Sequence, residues 1–135
     1  FDAVIVHGGV GCPDKLRRHK EVLDIVKKMN ENRKIIAAIC PGPWMMISAG
    51  VVKGGEATSF FAIRDDMINA GANYKDQSVV VDGNLVTSRD PDSYSRCSRD
   101  SVVGARNWVV SHSYFYLPKE RALLVSWSPY LSQYH

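Results

Sequence analysis

The chain is poor in cysteine. Three occur in 135 residues, Cys12, Cys40 and Cys97, and no two stand at the C-x-x-C spacing of a zinc site or a redox dithiol. So sparse and odd a set does not suit a disulfide framework, and a reducing compartment fits it. Long apolar runs are also missing. None approaches the ~18 residues that read as a membrane span, and the first residues do not read as a basic-then-apolar leader. A soluble, cytoplasmic protein with no membrane partner is the expectation. A dense basic stripe, the footprint of a nucleic-acid binder, is missing too. The net charge of +3 comes entirely from residues 93–135, with five basic and two acidic side chains, while residues 1–92 balance 12 against 12. The phosphate-cradling G-x-x-x-x-G-K-[ST] pattern does not occur. Gly9-Val10-Gly11 opens like a dinucleotide fingerprint, but Asp14 stands where the third glycine belongs. Neither a metal nor a cofactor is expected, and nucleic acid is not an expected partner.

What is present is an ordinary globular composition, 45% hydrophobic and 23% charged, long enough to bury one core. Phe1-Asp2-Ala3-Val4-Ile5-Val6 is an apolar run ending at His7-Gly8-Gly9, and Lys34 to Ile39 is a second, ending at Cys40-Pro41-Gly42-Pro43. Such runs mark strands buried on both faces of a parallel sheet. Between them the sequence predicts one helix from Pro13-Asp14 to about Asn30, with Leu16, Val22, Leu23, Val26 and Met29 as its apolar stripe. Trp44 to Ala49 reads as a short helix stopped by Gly50, Glu56 to Phe60 as a short strand, and Ile63 to Ala70 as a short helix stopped by Gly71. Ser78–Val81 and Asn84–Thr87 flank Asp82-Gly83, a strong hairpin signal. Strand, helix, strand, turn, helix is a βαβα unit.

After Pro91 the character changes. Nine of the thirteen serines and five of the six tyrosines lie in residues 93–135. No period is sustained there, apart from the apolar stretch Ala122-Leu123-Leu124-Val125. We therefore separate an α/β core, residues 1–92, from a tail, residues 93–135. A change of reading frame or gene model near Asp92 is one expectation for this tail. Because a strand begins at residue 1, a fragment lacking earlier strands is another expectation.

Ligands bind outside the carboxyl ends of strands in an open parallel sheet, where Gly8-Gly9 and Cys40 both fall. A cysteine on a tight strand-to-helix turn faces a helix N-terminus, which is expected to favour the thiolate. Nearby backbone N–H groups could form an oxyanion hole, and a glycine pair lets backbone approach closely. From the residues alone, Cys40 as a small buried hydrophobe at a strand end is the favoured reading, with the nucleophile as its alternative. Arg64, Asp65 and Asp66 read as a solvated helix face. Cys12, Cys97, His112 and His135 receive no role.

Asp2-Ala3-Val4-Ile5-Val6-x-Gly8-Gly9, Pro13 to Arg18, and Ala37-Ala38-Ile39-Cys40-x-Gly42-Pro43-Trp44 resemble the PfpI-type (ThiJ/PfpI) family of the class I glutamine amidotransferase-like superfamily. So do Ala57-Thr58-Ser59, the segment from Ile63 to Ala72 and that from Val81 to Arg89, in the same order. The resemblance implies a flavodoxin-like parallel sheet with helices on both faces and a β-hairpin, here incomplete at the N-terminus. It implies Cys40 as nucleophile and the Gly9 backbone as one oxyanion donor. It further implies a cysteine hydrolase, described in the family as peptidase, deglycase or glyoxalase, with a small-molecule or peptide substrate and a homo-oligomeric state.

Three departures bear on activity. Pro41 stands where the family has a histidine, and it brings neither a base nor an N–H. It also pushes residue 40 toward extended backbone, against a strained elbow. The family's catalytic glutamate belongs to a segment with no counterpart in these residues. His7 replaces a family proline beside Gly8-Gly9, and we expect it to take over part of the lost base function. Three readings follow: an active or impaired enzyme, a non-catalytic relative whose Cys40 is a redox-sensing or structural thiol, and a truncated product.

Overall fold

A computed structural model describes residues 1–9, 12–90, 109–111, 114–116 and 122–125 of the chain. The central sheet has five strands in the order β5-β6-β2-β1-β9: β5 Val79–Asp82, β6 Leu85–Ser88, β2 Ile35–Ile39, β1 Ala3–Val6 and β9 Ala122–Val125. β1 pairs in parallel with β2 and with β9, β2 pairs in parallel with β6, and only β5 runs antiparallel, as the hairpin partner of β6. The apolar stretch in the serine-rich tail thus forms the edge strand beside β1. All four residues of β1 are buried, so the sheet is covered on both faces at its centre, as its unbroken apolar run requires.

The helices are α1 Cys12–Leu16, α2 Lys20–Glu31, α3 Pro43–Ser48 and α4 Arg64–Asn69, the last preceded by a 3₁₀ turn at Phe61–Ile63. α1, α2 and α4 all pack against α3. The single helix expected from Pro13 to Asn30 is therefore two. Arg18 and His19 donate to the carbonyls of Lys15 and Leu16, which closes α1, and His19 is extended at φ −97°, ψ 112° before α2 begins. The apolar stripe survives the break: Leu16, Val26 and Met29 are buried, with Val22 and Leu23 packed against them. All four methionines of the chain, Met29, Met45, Met46 and Met67, lie in this core. Unbranched side chains of this kind fill the irregular space where short helices meet a sheet.

Three helices end in the same pair of hydrogen bonds. After α3 these are Gly50 N–H to Ile47 and Val51 N–H to Met46; after α4, Gly71 to Ile68 and Ala72 to Met67; after α2, Arg33 to Asn30 and Lys34 to Met29. The residue in the left-handed conformation is Gly50 (φ 72°), Gly71 (φ 88°) and Arg33 (φ 54°) respectively, the Schellman stop. The expected strand at Glu56–Phe60 shortens to β3, Glu56–Ala57, paired in parallel with β4, Asn73–Tyr74. The hairpin forms one residue later than the sequence suggests. Asp82 pairs with Leu85, so Gly83-Asn84 make the turn, with Gly83 at φ 59°, where a type II′ turn places its glycine. Asp82 is thereby left to accept the backbone N–H of Glu56 at 2.8 Å. β7 Val109–Ser111 and β8 Tyr114–Tyr116 form a separate antiparallel pair. No described helix is long and apolar enough to cross a membrane.

Candidate active site

β1 and β2 are neighbours in register, Val6 opposite Ala38, so their carboxyl ends bring His7-Gly8-Gly9 beside Cys40-Pro41-Gly42. Cys40 has φ 58°, the left-handed region that costs an ordinary residue on the order of 1–2 kcal/mol. The expectation that Pro41 would hold residue 40 in extended backbone is thus overturned. The reason lies in what grips the turn from outside. The Cys40 N–H donates to the Ser88 carbonyl of β6 at 2.9 Å, and its own carbonyl accepts the Phe60 N–H at 3.1 Å. Two remote segments fix the peptide groups on either side of the strained residue, and such over-determination is what keeps strain in place.

The glycines around the turn are there for space. A methyl group at Gly8 would lie 2.6 Å from the Ile39 carbonyl oxygen, 2.8 Å from Cys40 Cβ and 3.0 Å from Pro41 Cδ. One at Gly42 would lie 2.7 Å from the Val6 carbonyl oxygen. Gly9 is different: nothing crowds it, but its φ of 107° favours glycine. Beneath the turn lies a buried polar layer. The Thr58 N–H donates to Thr87 Oγ1 at 2.9 Å, and Thr58 Oγ1 donates to the Gln77 carbonyl at 2.9 Å. Thr58, Ser59, Thr87 and Ser88 are all buried, and no buried side-chain polar atom among the described residues lacks a partner.

The electrostatics run against the expected thiolate. Cys40 is part-buried, and its thiol is pushed above the ordinary cysteine value, first by desolvation and then by the negative charge of Asp90. The compensating donors are spent or missing. Pro41 and Pro43 have no N–H. Gly42 donates to the Ile39 carbonyl at 2.8 Å, Trp44 to Pro41 at 3.0 Å and Met45 to Gly42 at 3.0 Å. α3 is also only six residues long. The turn therefore offers a developing anion little from its own backbone, and burial wins.

His7 is exposed, and its Nδ1 donates to the Gly8 carbonyl at 2.7 Å. That bond selects the tautomer with Nε2 as acceptor. The structure thus brings Gly8, Cys40 and Pro41 into one contact set, with Gly9 next in the chain and His7 at its margin. Asp90 is the site residue that sequence reading missed. It lies two residues past Ser88, which is paired with Ile39, and only the placement of β6 beside β2 reveals it. Trp44 also gains a setting: its Nε1 donates to Asp66 Oδ2 at 2.8 Å, so Asp66 is more than a solvated helix face. Cys97, His112 and His135 lie outside the described residues. No His/Cys/Asp/Glu cluster suited to a metal ion occurs among the described residues.

Comparison with known proteins agrees with this architecture. The DJ-1/PfpI family profile matches residues 1–102. Deglycase PfpI of Pyrococcus furiosus is 46% identical over 102 residues, covering 76% of this chain and 61% of that protein. The chain thus spans about three-fifths of that relative's length. Among solved structures, a two-domain protein from Anabaena variabilis, with DJ-1/ThiJ/PfpI-like and ferritin-like domains, superposes with a TM-score of 0.68 at 46% identity. The match covers 70% of this chain and 27% of that one. DJ-1beta of Drosophila melanogaster superposes with a TM-score of 0.65 at 34% identity, covering 69% and 50%. On the fold, the order of its motifs and these matches, the chain belongs to the DJ-1/PfpI family.

Proposed function

We propose that the protein is a cysteine-dependent hydrolase or deglycase of the PfpI type, with Cys40 as nucleophile and a rate reduced by its own turn. The observation that carries this reading is Cys40 at φ 58° on the strand-to-helix turn, pressed against Gly8. A strained, non-glycine residue at the carboxyl end of a parallel strand is where such folds place chemistry. The substrate is a small carbonyl compound, a glycated amine or a peptide, and the working form is a homo-oligomer. In the first step the Cys40 thiol adds across a substrate carbonyl. Sulfur bonds to carbon, His7 Nε2 takes the thiol proton, and the imidazolium returns it to the carbonyl oxygen, leaving a tetrahedral adduct, which is a hemithioacetal where the substrate carbonyl is an aldehyde. The oxyanion donor in this reading is the Gly9 backbone, since the N–H groups of the Cys40 turn are committed. Losing one such donor costs on the order of 10²–10³ in rate, which is the basis for a slow enzyme.

A second reading, a non-catalytic relative with a redox-sensing or structural thiol, is favoured by the raised Cys40 thiol. Consumption of a 2-oxoaldehyde and release of amine from a glycated amine, measured for the protein and for Cys40→Ser, separate the two. Turnover lost in Cys40→Ser supports the enzyme. Equal background in both contradicts it and leaves the second reading.

A further inference from the structure

Arg17 stands between α1 and α2, in the break that the helical pattern does not announce. Its guanidinium lies over the Trp44 ring, 5.4 Å from the centroid, and its Nε donates to Ser48 Oγ at 2.8 Å. Trp44 and Ser48 sit on one side of α3, four residues apart. On its other flank the indole is held by Asp66 of α4 through the 2.8 Å Nε1 bond. Trp44 is also the residue whose backbone N–H closes the Cys40 turn, by donating to the Pro41 carbonyl at 3.0 Å.

The two segments that flank the nucleophile therefore meet twice. They meet at Gly8, which has room for no side chain against Cys40 and Pro41. They meet again at Arg17, which binds α3 through an aromatic face and a hydroxyl. One contact alone leaves a pivot about Gly8-Gly9, where Gly9 has unhindered space and positive φ. Two contacts fix the relative position of the β1 and β2 loops. A planar guanidinium can stack and donate at once, which a lysine cannot do with the same geometry.

We propose that Arg17 is a positioning residue for Cys40, acting through the Arg17–Trp44–Asp66 clamp that fixes the nucleophile turn against the β1 loop. This rests on the reading of Cys40 as the nucleophile. The test is the alkylation rate of Cys40 against pH, by peptide mapping, in the native and the urea-denatured protein. It is run on the full chain, Arg17→Met, Arg17→Lys, Asp66→Ala, Asp66→Asn and the Arg17→Met, Asp66→Ala double variant, with a urea unfolding midpoint for each.

The expected result has four parts. In the parent protein the native profile of Cys40 differs from the denatured one. Arg17→Met moves it toward the denatured profile and raises the neutral-pH rate about two- to five-fold, the factor an exposed cation–π contact is worth. Arg17→Lys restores part of the shift, and Asp66→Asn, whose amide oxygen still accepts the indole proton, behaves like the parent. Arg17→Met and Asp66→Ala combined give less than the product of their separate effects, because both act through one indole.

A purely structural Arg17 would lower the unfolding midpoint and leave the Cys40 profile of the folded protein where it was; that outcome overturns the proposal and leaves the nucleophile reading intact. Should Arg17→Met not fold, Asp66→Ala decides alone, and an unmoved Cys40 profile there rejects the clamp. If the parent's native and denatured profiles coincide, the nucleophile reading itself fails, and the clamp with it.

Discussion

Two non-glycine residues among those described hold positive φ, Arg33 at 54° and Cys40 at 58°, and the two turns solve the same backbone problem differently. At Arg33 the solution is local. The residue is exposed, and the hydrogen bonds that fix it come from the last turn of its own helix, Arg33 to Asn30 and Lys34 to Met29. Glycine does the same task at Gly50 and Gly71. At Cys40 the one local bond, Gly42 N–H to the Ile39 carbonyl, is joined by contacts from outside the turn. Ser88, Phe60 and Gly8, from three other segments, hold it, and the following proline opposes it. The left-handed residue at Arg33 is a chain stop that its own helix explains, whereas the one at Cys40 is also held by segments distant in sequence.

The comparison can be broken most forcefully at Gly8. Gly8→Ala places a methyl group 2.6 Å from a backbone oxygen, and backbone cannot yield cheaply. A loss of about 3 kcal/mol, the upper end of the overpacking range, is expected in urea unfolding, with an altered Cys40 alkylation rate. A loss under about 0.5 kcal/mol would mean that the Cys40 turn is not held from the β1 side. Thr87→Val comes next. It removes the acceptor for the buried Thr58 N–H at nearly constant volume, and leaving that donor unpaired costs about 1–3 kcal/mol. Arg33→Gly sharpens the other side of the comparison. Relief of the left-handed penalty, less the extra chain entropy of glycine, predicts a gain of about 0.5–1 kcal/mol with no change at Cys40. A loss of stability would show that the Arg33 side chain, not its backbone, matters.

The smallest effect is a pH dependence. The folded Cys40 thiol is raised by burial and by Asp90, while an unfolded thiol titrates near its ordinary value of about 8.5. The folded state therefore binds the proton more tightly. The stability this contributes is fully present below the unfolded value and is lost as pH rises through the higher folded one. Between those values the unfolding midpoint of the parent protein falls more steeply with pH than that of Cys40→Ala. Parallel slopes would remove Asp90 and burial as influences on the thiol.

Much of this was legible in the residues. The apolar runs at Ala3–Val6 and Ile35–Ile39 announced neighbouring parallel strands, and Gly50, Gly71 and Gly83 marked their turns by the positive φ that glycine adopts without strain. Cys40 was placed by its run into Pro-Gly-Pro. What stayed hidden depended on contacts between segments far apart in sequence. The break at Arg17–His19 is invisible to a helical period, because Leu16 and Val26 stay on one face of the packing through it. Asp90 meets Cys40 only because β6 lies beside β2. The direction of the thiol shift followed from burial first and from Asp90 second, and no spacing rule reports either.

The central claim is that Cys40 occupies an assembled, strained and desolvated turn. Alkylation of Cys40 against pH, read by peptide mapping in native and denatured protein, tests it most directly. The account predicts a native profile displaced to higher pH than the denatured one, and displaced less in Asp90→Asn. Coincident profiles, or a native profile at lower pH, would contradict it.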